Sequence, residues 1–431
     1  MYQNFKPTAR FREIVLATAL AQCAHGLDVE QRFPQLIGTE RSAAKVFAGC
    51  KAVVVGVGSV GRRVALHLAR LGIEVIWLVD PGRYDETANL VTQEITAADL
   101  NTAKATSTGE ACKAISPDTR VLVYDGKVQD LNPVATADAD VVFLATDNLA
   151  IEADVSSRFR ALGIPLVQAA VHGETLVAQV RFVANATADG PCLLCGFGED
   201  EWRHMNQSSV FSCSGANDGD GTSDIANDAN GATEHVQIMP TMSTSFLCSL
   251  AADLALMQWA RYVLTLGRPV ADTLLQYCGF THQTTQAELA SNKNCRCDHS
   301  VLQRIEAPRP LVECSPSELA GTAGHDGGSL AGVSFTLDAL SYVESAVCRC
   351  DSHQVDLFMT MGESLPSCGA CGEAIVPQPF FTHRATPGHL LNARRDRPLR
   401  ALGAEQATWA VVRRGASGAL IREQICKEID S

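Results

Sequence analysis

Short, nearly continuous apolar runs recur between residues 50 and 185, and segments with helical spacing lie between them. Uninterrupted Val, Ile and Leu runs are typical of strands that are buried on both faces of a parallel sheet. We therefore expect a doubly wound α/β fold. The predicted strands are 51–55, 74–80, 121–125, 141–146 and 165–170, and the predicted helices are 60–71, 100–115 and 150–162.

Beyond this alternation the composition changes several times. Residues 175–183 alternate as a further strand, and residues 206–235 are so rich in Ser, Asn, Asp and Gly that we expect a mobile loop. An apolar helix at 246–266 follows. We predict an N-terminal helical segment at 1–30, an α/β domain at 31–305, a linker region rich in Pro, Gly and Ser at 306–335, and a smaller C-terminal domain at 336–431.

Charge and cysteine usage narrow the class of protein. The net charge of −13 over 431 residues argues against a nucleic-acid or membrane-surface binder, because phosphate neutralisation needs clustered Lys and Arg. The best membrane-span candidate, 246–266, contains Asp253 and Arg261, which predicts a buried helix instead. Several of the sixteen cysteines fall in close pairs, a pattern typical of metal sites in a reducing compartment. We therefore expect a cytoplasmic protein.

The glycine-rich segment V-V-V-G-V-G-S-V-G at 53–61 predicts a phosphate-binding turn between a strand and a helix, formed by Gly56, Gly58 and Gly61. Asp80 closes the next apolar run, where an acid binds a ribose hydroxyl. A nicotinamide dehydrogenase would account for the glycine turn and Asp80 alone. It would leave the later polar residues and the cysteine pairs without a role, so ATP is the better prediction.

The ordered set of motifs resembles the ubiquitin-activating-enzyme-like adenylyltransferases, a family that includes bacterial enzymes activating sulfur carriers for molybdopterin and thiamine synthesis. The resemblance covers roughly residues 30–300. A glycine turn alone would be a weak signal, whereas the whole ordered set is specific. The set comprises Arg32, the glycine turn, Asp80, Asn89 and Gln93, Lys104, Asp147 and Asn148, Cys192 and Cys195, a later cysteine, and Cys295 and Cys297.

The resemblance implies a role for each matching residue. Asp80 would hold the ATP ribose, Asn89 and Lys104 would contact the phosphates, and Asp147 would bind or position Mg²⁺. Arg32 would reach into the nucleotide site of a second subunit, which implies a homodimer. Gln93 and Asn148 belong to the same nucleotide-binding set.

Two positions depart from the family pattern. Thr92 stands where many relatives have Arg, so phosphate neutralisation must rely on Lys104, on Arg32, or on Arg62 and Arg63 after the glycine turn. Gly82 stands where a second acid is usual.

The resemblance also implies a thiol that captures the acyl-adenylate from a loop after the first cysteine pair. Cys213 lies in the predicted mobile loop, and an exposed thiol that is free to move suits this role. The acids between 218 and 228 argue against it, because they would raise the pKa of the thiol. Cys248 is the alternative, but its apolar neighbours predict burial.

Two sets of cysteines predict zinc sites. Cys192 and Cys195 with Cys295 and Cys297 provide four thiolates, and His299 could replace one of them. A second set, which is typical of a zinc ribbon, lies in the C-terminal domain: Cys348, Cys350, Cys368 and Cys371.

The function we expect is ATP-dependent adenylation of the C-terminal glycine of a ubiquitin-like protein, followed by thioester formation on Cys213 and transfer to a conjugating partner. High Ala and Arg usage favours a bacterial source. One alternative is an adenylyltransferase that activates a sulfur carrier for cofactor synthesis. Another is a non-catalytic scaffold that binds a ubiquitin-like protein, which Thr92 and Gly82 would favour and the presence of Lys104 and Asp147 argues against.

Overall fold

A mixed sheet forms the centre of the protein in the computed structural model. Among the described residues it has nine strands in the order β1-β4-β3-β2-β5-β6-β7-β8-β9. Strands β4, β3, β2, β5 and β6 are parallel, while β1 and β7–β9 are antiparallel to their neighbours. The structure describes residues 9–15, 36, 42–85, 89–131, 135–198, 243–268, 270–297, 299–337, 342–347, 354–357, 367–373, 376–377, 382–383, 385–402, 404, 407–415 and 417–423.

The strands of this sheet follow the apolar runs of the sequence. Each parallel strand is four to seven residues long and largely buried. Their bounds are β1 Arg12–Glu13, β2 Lys51–Val55, β3 Val75–Val79, β4 Arg120–Tyr124, β5 Val141–Leu144, β6 Leu166–His172, β7 Val177–Val183, β8 Thr273–Cys278 and β9 Gln283–Glu288.

Helices cover both faces of the sheet and end where the sequence provides a stop. Gly72, with a φ of 69°, ends the helix after the glycine turn in the left-handed conformation that glycine adopts freely. Asn101, with a φ of 65°, separates a short 3₁₀ turn from the next helix, which therefore begins at Lys104 and not at residue 100. The helices of this half are α1 Ala43–Ala48, α2 Ser59–Leu71, α3 Asn89–Thr92, α4 Lys104–Ile115, α5 Leu149–Ala161 and α6 Ser245–Val263.

Two hydrophobic cores flank the sheet. Helices α1, α2, α4 and α6 cover one face, where Trp259 packs against Phe47 and Phe143 at ring-centroid distances of 5.3 and 5.8 Å. Helix α5 covers the other face together with Trp409 and Leu420 from the C-terminal part of the chain. Burial on both faces explains the uninterrupted apolar runs, and the predicted doubly wound α/β class is confirmed.

The C-terminal part forms smaller sheets. In the described ranges, five strands run in the order β10-β18-β17-β11-β16, and β12 pairs with β13, β14 and β15. The strands are β10 Gln303–Glu306, β11 Val333–Leu337, β12 Tyr342–Val347, β13 Gln354–Leu357, β14 Val376–Pro377, β15 Thr382–His383, β16 Ala385–Pro387, β17 Trp409–Arg414 and β18 Ser417–Arg422, with helices α7 Pro316–Thr322 and α8 Gly388–Leu391.

The segment predicted as a linker, 306–335, is folded. Ser315 and Glu318 form a capping box at the start of α7. Leu311, Leu319 and Leu330 are buried in a core that they share with the strands of the five-stranded sheet. The division of the chain into domains stays a prediction.

The predicted N-terminal helical segment lies mostly outside the described residues, and its described part includes strand β1. The predicted mobile loop at 206–235 lies wholly outside them. Of the helices that the structure describes, none is long and apolar enough to cross a membrane.

Candidate nucleotide site and metal cluster

The glycine turn joins β2 to α2 at the carboxyl edge of the parallel strands. Gly56 has a φ of 83°, and a β-carbon there would lie 2.5 Å from the carbonyl oxygen of Ala145. A β-carbon on Gly61 would lie 1.8 Å from the carbonyl oxygen of Gly56. Gly58 differs, because a β-carbon there would meet nothing within 4 Å. The first and third glycines are therefore required by packing, while Gly58 borders open space at the N-terminus of a helix, where a phosphate fits.

Asp80 follows β3 and anchors the turn. Its Oδ2 accepts a hydrogen bond from the backbone N–H of Val57 at 2.6 Å, and its Oδ1 accepts one from Gly82 at 2.7 Å. A carboxylate has about four lone-pair positions, so each oxygen can still accept a ribose hydroxyl. The predicted ribose ligand therefore also fixes the conformation of the phosphate-binding turn.

Lys104 begins helix α4 beside Asp80. Its backbone N–H donates to the carbonyl of Gly82 at 3.0 Å. A β-carbon on Gly82 would lie 3.0 Å from Asp80 Oδ1 and 3.3 Å from both Cδ and Cε of Lys104. The absence of a side chain at residue 82 thus lets the predicted ribose acid and the predicted phosphate cation approach each other. This is the structural reason why glycine suits the position where a second acid is usual.

Arg62, which the sequence offers as a phosphate cation, is buried in an internal network. Its Nε donates to the carbonyl of Glu94 at 2.7 Å, and its Nη1 donates to the hydroxyls of Ser107 and Thr108 at 3.1 and 3.0 Å. Its Nη2 lies 3.7 Å from Asp99 Oδ1. These contacts tie α2 to α4 and leave Arg62 a structural residue.

Arg63 points to a different set of partners. Its guanidinium pairs with Glu94 at 2.7 Å and with Asp253 of helix α6 at 3.4 Å. Burial alone would lower the pKa of Arg63, but the two carboxylates raise it overall. Of the three described candidates Arg62, Arg63 and Lys104, Lys104 therefore remains as the cation for the predicted phosphate site.

Asn89 and Gln93 occupy the short helix α3 and the residue after it. Gln93 Nε2 donates to Asn89 Oδ1 at 2.7 Å, and Gln93 Oε1 is buried with no hydrogen-bond partner. A buried polar atom of this kind is a candidate for contact with a bound group. Thr92 is partly exposed on the same turn.

Asp147 and Asn148 follow β5 at the same edge of the sheet. The side-chain oxygen of Asn148 accepts hydrogen bonds from the backbone N–H groups of Ala150 and Ile151 at 2.9 and 3.1 Å, so Asn148 caps helix α5. Asp147 is exposed. Strands β2 and β5 are neighbours from which the chain winds in opposite directions, and ligands bind at such a switch point.

The structure describes one of the two candidate thiols, Cys248. Cys213 and Arg32 lie outside the described residues. Cys248 lies in the first turn of α6 and is buried, as the sequence predicts. Burial raises the pKa of Cys248, although hydrogen bonds from Ser243 and Ser59 partly offset this. A buried thiol with a raised pKa is poorly suited to capture an acyl group.

The first cysteine set forms a compact cluster whose ligand atoms all lie within 4.8 Å of one another: Cys192, Cys195, Cys295 and His299. Cys192 Sγ lies 3.7 Å from both other sulfurs, and Cys195 Sγ lies 3.5 Å from His299 Nε2. Tetrahedral zinc ligands at about 2.3 Å (S) and 2.0–2.1 Å (N) lie roughly 3.6–3.8 Å apart. The cluster fits zinc and includes His299, which the sequence offers as a possible ligand. Metal binding by Cys297 stays a prediction.

Cys297 lies beside this cluster. Its sulfur is 3.3 Å from Ser157 Oγ of helix α5, and its backbone N–H donates to Cys295 Sγ at 3.4 Å. The N–H groups of Cys192 and Asn292 each donate to Cys195 Sγ at 3.4 Å. Such donors favour the thiolate form that binds a metal.

Half of the second predicted zinc set is described. Cys368 is buried, Cys371 is exposed, and the N–H of Gly372 donates to the carbonyl of Cys368 at 2.8 Å. Cys348 and Cys350 lie outside the described residues. Val347, which precedes Cys348 in the sequence, pairs with Val376 of strand β14. The zinc ribbon stays a prediction.

Sequence reasoning missed two residues that shape the site. Asp125 accepts hydrogen bonds from Thr106 in the first turn of α4, and its place at the end of the predicted strand 121–125 was the available signal. Tyr84 is fully buried between the site and Arg62, and nothing in its sequence context distinguishes it from a core residue.

Comparisons with known proteins agree with this arrangement. The ThiF family model matches residues 31–299. SAMP-activating enzyme E1 of Haloferax volcanii is 32% identical over 154 residues, which cover 35% of this chain and 54% of that protein. The maize adenylyltransferase and sulfurtransferase MOCS3-1 is 34% identical over 147 residues, which cover 34% of this chain and 30% of that protein. The matches thus span about half or less of these relatives' length.

Solved structures are more distant. A structure of E. coli MccB with ATP has a TM-score of 0.43 and 14% identity, over 59% of this chain and 68% of that chain. The family model, in contrast, covers more than half of the chain and includes the glycine turn, Lys104 and the metal cluster. The chain belongs to the ThiF family.

Proposed function

We propose that this protein uses ATP to adenylate the C-terminal glycine of a ubiquitin-like protein, holds the product as a thioester on Cys213, and passes it to a conjugating partner. The observation that carries the proposal is the meeting of Asp80 and Lys104 over Gly82, next to the open space at Gly58. The residue proposed to hold the ribose, the cation proposed for phosphate and the glycine turn would then act together at one edge of the sheet.

The chemistry needs this concentration of positive charge. A substrate carboxylate attacks the α-phosphorus of ATP, and pyrophosphate leaves. The triphosphate repels the carboxylate until cations neutralise it. Lys104 supplies one cation, Arg32 of a second subunit is proposed as another, and Asp147 has the exposure and the position at the switch point to bind Mg²⁺.

The relatives support activation of a ubiquitin-like or sulfur-carrier protein. They also support the second candidate function, activation of a sulfur carrier for sulfur transfer. The Haloferax protein is named as an activating enzyme, which fits conjugation. The maize protein and an Aspergillus fumigatus protein that is 30% identical over 169 residues are named as adenylyltransferases and sulfurtransferases, which fits sulfur transfer. A stable thioester on Cys213 would favour conjugation, whereas a thiocarboxylate on the carrier would favour sulfur transfer.

A homodimer is part of the proposal, and exposed apolar side chains support it. Val91 of α3 is 75% exposed, and Phe246 and Met257 of the adjacent helix α6 are 66% and 60% exposed. Contiguous exposed apolar patches are typical of interfaces, and we propose that these three side chains contribute to one. Sedimentation of the wild type and of Met257→Glu would test this, because a buried charge at the interface should produce monomers. The cytoplasmic location and bacterial source stay predictions.

Pyrophosphate exchange tests the adenylation step. We expect labelled pyrophosphate to enter ATP when ubiquitin-fold proteins with a C-terminal glycine from the same organism are added, and not without them. Lys104→Ala should reduce exchange by about a hundredfold or more, as expected when a group that stabilises transition-state charge is removed. Lys113→Ala is the matched control, since Lys113 lies at the far end of α4 and its ammonium binds the carbonyl of Thr119 at 2.9 Å. Equal exchange in both variants would refute the phosphate site.

The thioester step needs a separate measurement. Cys213→Ala should keep pyrophosphate exchange and lose the adduct with the carrier that reducing agents cleave. Cys248→Ala should keep the adduct, because Cys248 is buried. If the adduct persists in Cys213→Ala and disappears in Cys248→Ala, the nucleophile is assigned to the wrong residue. Removal of Mg²⁺ with EDTA should stop exchange in every variant.

A further inference from the structure

We propose that Tyr84 is a positioning residue whose ring face holds the ammonium of Lys104 in the phosphate site. The Lys104 Nζ lies over the Tyr84 ring, 5.7 Å from its centroid. A cation within about 6 Å of an aromatic centroid is attracted by the negative face of the ring. The inference rests on the proposed function, which assigns Lys104 its contact with phosphate.

The ring itself is held rigidly. Tyr84 is fully buried, and its backbone N–H donates to the carbonyl of Thr102 at 3.0 Å. Its hydroxyl accepts a hydrogen bond from Arg62 Nη1 at 3.3 Å and lies 3.4 Å from Thr108 Oγ1. The guanidinium carbon of Arg62 also lies 5.7 Å from the ring centroid. Arg62 therefore fixes the ring, and the ring in turn faces Lys104.

Lys104 needs such a surface. A lysine side chain has four rotatable bonds and loses much rotamer freedom when it is fixed in one position. Here the stem packs over Gly82 and the ammonium packs over Tyr84, so both ends of the side chain have a partner before any ligand arrives. A cation that is already in place binds phosphate with less loss of entropy.

The position of the Lys104 ammonium is critical in this chain because Thr92 provides no positive charge beside Asn89. Arg62 and Arg63 are committed to Asp99, Glu94 and Asp253. The phosphate contact within the described residues then depends on where the Lys104 ammonium points.

Nucleotide binding to the full-length protein tests the inference without the carrier. We would measure dissociation constants for MgATP and for adenosine by calorimetry in the wild type, Tyr84→Phe, Tyr84→Leu and Lys104→Ala. Tyr84→Phe keeps the ring and should retain most of the ATP affinity. Tyr84→Leu should bind ATP about tenfold more weakly and adenosine unchanged, because only the phosphate contact is displaced. In the double variant, Tyr84→Leu should add nothing to the loss caused by Lys104→Ala, because there is then no ammonium left to position.

A second comparison separates the charge of the ring face from its shape. Pentafluorophenylalanine at position 84 keeps the shape of phenylalanine but withdraws negative charge from the ring face. It should weaken ATP binding relative to Tyr84→Phe while the melting temperature stays similar. Equal ATP affinity in these two variants, equal losses for ATP and adenosine in Tyr84→Leu, or additive losses in the double variant would overturn the role of Tyr84. If the wild type and Lys104→Ala bind ATP equally, the proposed phosphate site itself fails.

Discussion

Asp125 Oδ1 accepts a hydrogen bond from the backbone N–H of Thr106 at 3.1 Å, in the first turn of the helix that begins at Lys104. The N-cap of this helix is Ala103, whose side chain has no oxygen to offer. Asp125, which follows the neighbouring strand β4, therefore supplies the missing acceptor from outside the helix. The same carboxylate lies 3.5 Å from Arg12 of strand β1.

Asp125→Ala should destabilise the start of α4. Loss of an N-terminal cap typically costs about 0.5–2 kcal/mol, so we expect a decrease of about 1 kcal/mol in the free energy of unfolding in urea. The exposed pair with Arg12 should add little to this. Glu110→Ala, at an exposed position later in the same helix, is the control and should change stability by less than about 0.5 kcal/mol. Equal effects of the two substitutions would rule out the cap.

Gly58→Ala should separate folding from nucleotide binding. Gly58 has a φ of −80° and a ψ of −150°, which any residue can adopt, and a β-carbon there meets no atom within 4 Å. The variant should therefore fold with normal stability and bind MgATP at least about tenfold more weakly, since the methyl group occupies the phosphate space.

Gly321→Ala is the matched control, because its β-carbon also meets open space, in helix α7. It should be neutral or stabilise the protein by up to about 1 kcal/mol, and it should bind MgATP normally. Calorimetry and thermal unfolding of both variants provide the measurement. Wild-type MgATP affinity in Gly58→Ala would place the phosphates elsewhere.

The ligand set of the metal cluster can be assigned by elemental analysis. If both predicted sites bind metal, the wild type should contain about two zinc ions per chain. His299→Ala should lose about one of them, because His299 completes the group with Cys192, Cys195 and Cys295. Cys297→Ser should retain both. Loss of zinc in Cys297→Ser and retention in His299→Ala would restore the all-cysteine set.

The protein should lose stability at mildly acidic pH in part through His67. Burial lowers the pKa of His67 below its ordinary value of 6.5, and the nearby Arg63 and Arg70 lower it further, while Asp253 and Glu94 oppose them. Below pH 6.5 the unfolded chain therefore binds a proton that the folded protein resists, so folding stability falls as the pH drops toward the folded-state pKa.

The measurement for His67 is urea unfolding at about pH 7.5 and about pH 5.5. His67→Gln should lose less stability than the wild type between these two values, because it has no proton to bind at that position. His325→Gln is a useful comparison, since burial also lowers the pKa of His325 in a different part of the chain. If His67→Gln shows the same pH dependence as the wild type, His67 does not contribute.

The sequence by itself determined the α/β fold and the succession of strands and helices along residues 51–183. Strands buried on both faces must be apolar throughout, so their runs were visible without coordinates. Gly56 and Gly61 were equally visible, because only glycine allows the close contacts with Ala145 and Gly56 that the turn requires. These features can be read from local sequence. Burial on both faces excludes polar residues from the strands, and close backbone packing excludes side chains from the turn.

Tertiary structure alone decided which polar groups meet. Arg62 and Lys104 are both cations in the sequence, yet Arg62 is buried against Asp99, whereas Lys104 packs beside Gly82 and the ring of Tyr84. His299 lies 3.5 Å from Cys195, which precedes it by 104 residues, so only the folded chain brings it into the metal cluster. Tyr84 meets Lys104 because the loop after β3 pairs with the segment before α4: Tyr84 N–H donates to the carbonyl of Thr102, and the Tyr84 carbonyl accepts from Asn101 N–H. No local sequence pattern encodes this pairing.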